Sequence, residues 1–249
     1  FYTSTDLIHW EFKSHIAGFF ECPDLVELPV NRREDDKKWV LFDGDGSYLI
    51  GAFDGEKFTP ETPKMKSDFG KNYYATQTWS GIPASDGRTI QIAWMRGGEY
   101  PDMPFNGQMS FPCELSLKKF SDGIQLIRKP VKEIELLHEK GESWENKNLI
   151  PGINKNLLHG LKGDCFHIIA TFKVKTADNI GFYLRLDKEK NGAEILFDTR
   201  DNTLNFLGRT IKINRIDDTV KFEILLDRSS VEIFVNDGRA VLSTCFTPK

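Results

Sequence analysis

Short runs of β-branched and aromatic residues, each cut off by Gly, Asp, Asn or Pro, recur along most of this chain. Trp39-Val40-Leu41-Phe42 runs into Asp43-Gly44-Asp45-Gly46-Ser47, then Tyr48-Leu49-Ile50-Gly51-Ala52-Phe53, then Asp54-Gly55. Strand, turn, strand and turn in that rhythm predict a β-meander. Tyr73 to Trp79, Thr89 to Met95 and Met109 to Leu117 have the same character, and turn-forming clusters bound each of them. The spacing suits four-stranded blades or a sandwich. Asp43 to Ser47 also looks like the start of a calcium loop, but Tyr48 stands where such a loop needs Gly, and Asp54 stands where it needs Glu. The stretch is therefore read as a hairpin turn. Its Gly-x-Gly has no third Gly and no following helix, which dismisses a nucleotide loop.

The rhythm breaks once. Val131, Ile134 and Leu137 recur at helical spacing behind Pro130, a residue tolerated in a first helical turn. A polar stretch from Glu139 to Lys155 follows and reads as a linker. Strands then return at Phe166 to Val174, Gly181 to Leu186, Ala193 to Phe197, Val220 to Leu226 and Ser230 to Val235. The last enters Asn236-Asp237-Gly238, a strong hairpin signal, and leaves as Ala240-Val241-Leu242. Phe222-Glu223-Ile224 and Val231-Glu232-Ile233-Phe234 alternate cleanly, which predicts antiparallel sheets with one wet face and hence a β-sandwich.

Composition narrows the function classes. A formal net charge of −4 over 249 residues gives no footprint for nucleic acid or an anionic membrane. The densest charge run, Arg32 to Lys38, mixes both signs and reads as a solvated loop. No apolar stretch approaches the roughly 20 residues that span a bilayer. Cys22, Cys113, Cys165 and Cys245 are scattered, which excludes a zinc ribbon and a dithiol motif. The histidines form no H-E-x-x-H, so no metal site is expected. The chain opens at Phe1 without Met and stops at Phe246-Thr247-Pro248-Lys249 without a closing strand, so it reads as a piece of a longer protein.

One phrase carries chemistry. In Phe19-Phe20-Glu21-Cys22-Pro23-Asp24 a carboxylate follows two aromatics and precedes a stiffening proline. An acid stripped of water by apolar rings is suited to donate a proton near neutral pH. The residues alone fit better a Glu at a strand start, paired with a Lys or a backbone amide. The phrase, however, resembles the Glu-Cys-Pro-Asp signature of glycoside hydrolase family 32, the invertase, inulinase and levanase family. Other segments are similar to that family in order and spacing: Tyr2 to Glu11, Tyr48 to Gly55, Tyr73 to Trp79, Ile92 to Met95, Gly107 to Leu117, and Asp227 to Gly238 in the second half.

That resemblance implies an all-β fold, a five-bladed β-propeller with its N-terminal blades missing, followed by a C-terminal β-sandwich. The division expected is 1–138 for later propeller blades, 139–160 for linker and sandwich start, and 161–249 for a truncated sandwich. It implies retaining hydrolysis of β-fructofuranosidic bonds in levan, inulin or sucrose, with no metal or organic cofactor. Glu21 maps onto the general acid/base. Tyr74, Gln77 and Trp94 map onto the substrate-binding wall, and Cys22 and Asp24 onto supporting positions. Extracellular or periplasmic use is usual for polymer-degrading relatives. The family's nucleophile, the Asp of a Trp-x-Asn-Asp-Pro-Asn-Gly motif, has no counterpart here, nor does its Arg-Asp-Pro motif; both would precede Phe1. Cys113 stands where an Arg commonly follows the closing-blade proline. Alone, this chain is expected to be inactive. The rival readings are a fructosyltransferase of the same architecture and a non-catalytic carbohydrate-binding protein.

Overall fold

Two turns fold the first meander. Asn31 and Arg32 take φ of 53° and 61° and reverse the chain between β3 (Asp24–Val30) and β4 (Arg33–Phe42). The Asp43 to Ser47 hairpin, closed by Gly46 N–H donating to Asp43 O at 2.9 Å, leads into β5 (Ser47–Phe53), and β6 (Phe58–Pro60) completes four antiparallel strands. The computed structural model describes residues 1–151, 156–187 and 192–247. Upstream, β1 (Tyr2–Thr3) and β2 (Glu11–Phe12) make a small separate hairpin, and β7 (Met65–Lys66) adds to β5. A second meander follows from β8 (Tyr74–Thr78), β9 (Thr89–Trp94), β10 (Cys113–Phe120) and β11 (Gly123–Pro130). One parallel rung, Leu117 with Val30, joins the two into a nine-stranded sheet. Four-stranded antiparallel meanders are the blade unit of a propeller. Their shared core includes Leu28, Val40, Phe42, Ile50, Leu115 and Leu117.

The charge run from Arg32 to Lys38 is not a loop. Arg33 to Lys38 form the first half of β4, paired through Lys38 with Leu28 and through Arg33 with Val30 across a bulge. It is solvated as expected, but backbone pairing and a two-residue turn at Asn31-Arg32 outweigh its poor strand composition. The Met109 to Leu117 strand starts later than expected, at Cys113, and Met109 makes an isolated bridge to Trp94.

Lys132–Leu137 forms a short 3-10 helix whose Ile134 is buried. It packs in a cluster with Cys113, Leu225, Phe234 and Val241. Of the polar stretch read as a linker, residues 152–155 lie outside those described, as do Pro248 and Lys249 at the expected open end. The second half pairs two four-stranded antiparallel sheets. One contains β12 (Phe166–Lys173), β17 (Thr219–Leu226), β18 (Ser230–Val235) and β19 (Ala240–Cys245); the other contains β13 (Asn179–Leu184), β14 (Ala193–Asp198), β15 (Thr203–Phe206) and β16 (Arg209–Lys212). Phe197, Phe206, Phe222, Ile224, Val231 and Ile233 fill the space between them.

The wet face expected of β18 is absent. All six of its residues are buried, including Glu232. The alternation is real, with Val231, Ile233 and Val235 facing the sandwich core, but the other face is pressed against the propeller strands. The Asn236-Asp237-Gly238 hairpin turn docks on β11, where Arg128 N–H donates to Gly238 O at 3.1 Å. A Cβ on Gly238 would lie 1.9 Å from Arg128 O, so only glycine permits this approach. Cys113 also lies in this junction, fully buried, and burial pushes its thiol up to about 12.

Candidate active site

Glu21 is held by what surrounds the turn into β3. Asp43, immediately after β4, accepts from Phe20 N–H at 3.1 Å and from Gly44 N–H at 2.7 Å. Lys64 Nζ donates to Gly18 O at 2.6 Å and pairs with the Asp43 carboxylate, and its ammonium lies 4.6 Å from the centre of the Phe19 ring. Burial works against the Asp43 charge, but Lys64 and the two backbone donors outweigh it and hold that carboxyl below its ordinary range. Gly44 closes the seat from beneath: a Cβ there would meet Glu21 O at 2.9 Å and Glu21 Cγ at 3.1 Å. The segment immediately before the acid is therefore stapled to the neighbouring hairpin.

Across from it, the Tyr74 hydroxyl donates to Glu21 Oε1. This bond raises the Tyr74 pKa, since losing the proton would break it and leave a phenolate beside the carboxylate. Tyr74 pairs with Trp94 across β8 and β9, edge to face with ring centres 6.5 Å apart, and the Arg96 guanidinium lies 4.5 Å from the centre of the Tyr74 ring. Ala75, with φ of 49°, marks the bulge that re-aims the strand beside Tyr74. Trp94 is 43% exposed, an apolar face open to solvent.

The structure thus brings together Glu21, Tyr74 and Trp94. Asp24 stands behind them: both its oxygens accept from Thr78, Oδ2 from the N–H at 2.7 Å and Oδ1 from the hydroxyl at 3.2 Å. Gln77, opposite Ile92, is exposed. Cys22 is exposed with φ of 49° and a free thiol. The apolar seat expected for Glu21 from its two preceding rings is not formed. Phe20 is 86% exposed and Phe19 packs away toward Leu41, Leu49 and Phe58, while Glu21 itself is exposed. The sequence alone does not mark Asp43, Gly44, Lys64 or Arg96 as site residues. Asp43 and Gly44 lie in the conspicuous Asp-Gly turn, whereas nothing in the spacing points to Lys64.

Two blade-type meanders, a sandwich docked against them and an exposed acid gripped by a tyrosine where the meanders meet define an all-β propeller–sandwich protein. Residues 1–130 match the glycosyl hydrolases family 32 N-terminal domain, and residues 133–249 match the family 32 C terminal domain. The chain belongs to glycosyl hydrolase family 32. It is 33% identical to a levanase of Bacillus subtilis (strain 168), over 99% of this chain and 42% of that protein. Its fold matches the crystal structure of exo-inulinase from Aspergillus awamori with a TM-score of 0.84 at 21% identity, covering 100% of this chain and 56% of the other. Fructan 1-exohydrolase IIa from Cichorium intybus matches with a TM-score of 0.79 at 21% identity, over 100% of this chain and 60% of that one. The chain therefore spans 42–60% of the length of these relatives.

Proposed function

We propose that this chain is the later part of a fructan- or sucrose-splitting glycosidase in which Glu21 is the general acid/base. The observation that carries the reading is the Tyr74 hydroxyl on Glu21 Oε1, beside the exposed Trp94. Glu21 as the acid protonates the leaving glycosidic oxygen; as the carboxylate it then takes a proton from the water that releases fructose. Tyr74 fixes the direction of the carboxyl, Trp94 offers a flat apolar face to the sugar ring, and Gln77 and Arg96 supply hydrogen bonds at the rim. Retention of configuration needs a second carboxyl about 5–5.5 Å away as nucleophile, which in this reading comes from outside these 249 residues. Residues 1–138 carry the chemistry, and residues 161–249 brace them across a 139–160 connection. No cofactor takes part.

Fructose release from sucrose, inulin and levan, by this chain and by the longer protein that contains it, tests the proposal. Activity is expected in the longer protein alone, with the preferred polymer naming its substrate. Glu21→Gln there is expected to cut turnover by roughly 10²–10⁴-fold while leaving KM near its original value. Near-normal hydrolysis by that variant would overturn the role of Glu21.

A further inference from the structure

The hydroxyl of Ser243 stands between two buried carboxyl groups, 2.7 Å from Asp68 Oδ2 and 3.0 Å from Glu232 Oε2. It has one proton to give. Asp68 is surrounded as an anion is: besides this hydroxyl it accepts from Ser243 N–H at 3.0 Å, Gly70 N–H at 2.7 Å and Arg128 Nη1 at 3.1 Å. Glu232 Oε1 accepts from Phe111 N–H at 2.7 Å. With the Ser243 proton committed to Asp68, the Ser243 oxygen turns lone pairs toward Glu232 Oε2. That contact is a hydrogen bond only if Glu232 itself carries the proton. Two carboxylates sharing one guanidinium, fully out of water, would otherwise leave one buried charge uncompensated.

We propose that Glu232 is a neutral, proton-bearing acid that donates to Ser243, and that in this form it is the positioning residue fixing the 107–111 segment of the propeller to the sandwich. The grip extends toward the exposed tryptophan. Phe111 N–H is held by Glu232, Gln108 is held by the hydroxyls of Ser229 and Ser230, and Met109, between them, bridges to Trp94. The inference rests on this junction and not on the proposed hydrolysis, and its test reads no activity.

Loss of the proton would place a second anion beside Asp68. The titratable and charged groups facing Glu232 are Asp68 from the segment after β7, Tyr73 before β8, Cys113 on β10, Arg128 on β11 and Cys245 on β19. Burial raises the Glu232 pKa to about 7, Asp68 adds to the rise, and Phe111 N–H and Arg128 oppose it. The folded chain therefore keeps this proton longer than the unfolded chain does. The resulting stability is fully present below pH 4.5 and is lost as pH rises through about 7.

Thermal unfolding of the chain from pH 5 to 9 tests this, comparing the native sequence with Glu232→Gln and Glu232→Ala. The Gln carboxamide can still accept from Phe111 and donate to Ser243, so it mimics the neutral acid at every pH. Between pH 5 and 8 the native midpoint is expected to fall roughly 5–10 °C further than that of Glu232→Gln. Glu232→Ala is expected to lose the slow hydrogen exchange of the Phe111 amide, which Glu232→Gln retains at pH 8. Parallel pH profiles for native and Glu232→Gln would overturn the proposal. Should the variants not fold, the side-chain carboxyl carbon resonance of Glu232 in the native chain decides: titration near neutrality supports the proposal, and a carboxylate resonance down to pH 5 ends it.

Discussion

Arg128 is 2% exposed, a position where a guanidinium needs close compensation. Burial opposes its charge, yet the Asp68 carboxylate 3.1 Å from Nη1, the Ser67 carbonyl 3.0 Å from the same nitrogen and the face of the Tyr73 ring, its centre 4.0 Å away, keep it charged. Removing it leaves Asp68 as a lone buried anion. Arg128→Met is therefore expected to lower unfolding stability by about 3–5 kcal/mol, read from urea titration. A loss below about 1 kcal/mol would mean that Asp68 finds water or a proton in the variant and that the ion pair is not what secures this junction. Glu21 presents the opposite case. Its sequence neighbours Phe19 and Phe20 promised an apolar seat, but what holds it comes from Tyr74 across the sheet.

The strands β18 and β4 show what pattern reading reaches and where it stops. Turn chemistry was legible: Asp43 to Ser47 and Asn236 to Gly238 reverse the chain as their composition predicts, and Val131, Ile134 and Leu137 mark a real helical turn. The strand type of β18 was legible too, because period-two alternation needs nothing beyond itself. Which face meets water was not legible, since that depends on residues more than a hundred positions away, such as Phe111 and Cys113. The β4 charge run failed for a related reason, its pairing being set by β3 and the turn between them. Lys64 in the site is the same kind of omission, a contact with no local signature. Phe234, alternating into the junction and 1% exposed, puts the packing to a test. Phe234→Ala is expected to destabilise the chain by about 3–5 kcal/mol in denaturant unfolding, as for a core position. A surface-like cost within about 0.5 kcal/mol would show that this face of the sheet is wet in solution.

Both halves share their polar core and their apolar seam, so neither has a finished surface at the junction. A single calorimetric transition is expected for the chain, with the ratio of calorimetric to van't Hoff enthalpy near one. Two resolved transitions would show that the sandwich melts independently of its dock. The seam includes more than side chains. Phe69 N–H donates to Val241 O at 2.8 Å and Asn72 N–H to Ser243 O at 3.1 Å, while Asn72 Oδ1 accepts from Cys245 N–H at 2.9 Å. Phe69 and Asn72 of the propeller thus lie along β19, the outermost strand of its sheet, and use hydrogen-bonding groups that a bare edge would offer to any passing strand. A sandwich cut free from this chain would carry an adhesive border along with its exposed Phe234. Gene shuffling moves most readily those modules whose borders are already sealed. This sandwich borrows its seal from its neighbour, so it is fitted to descend with its propeller and poorly fitted to be grafted elsewhere.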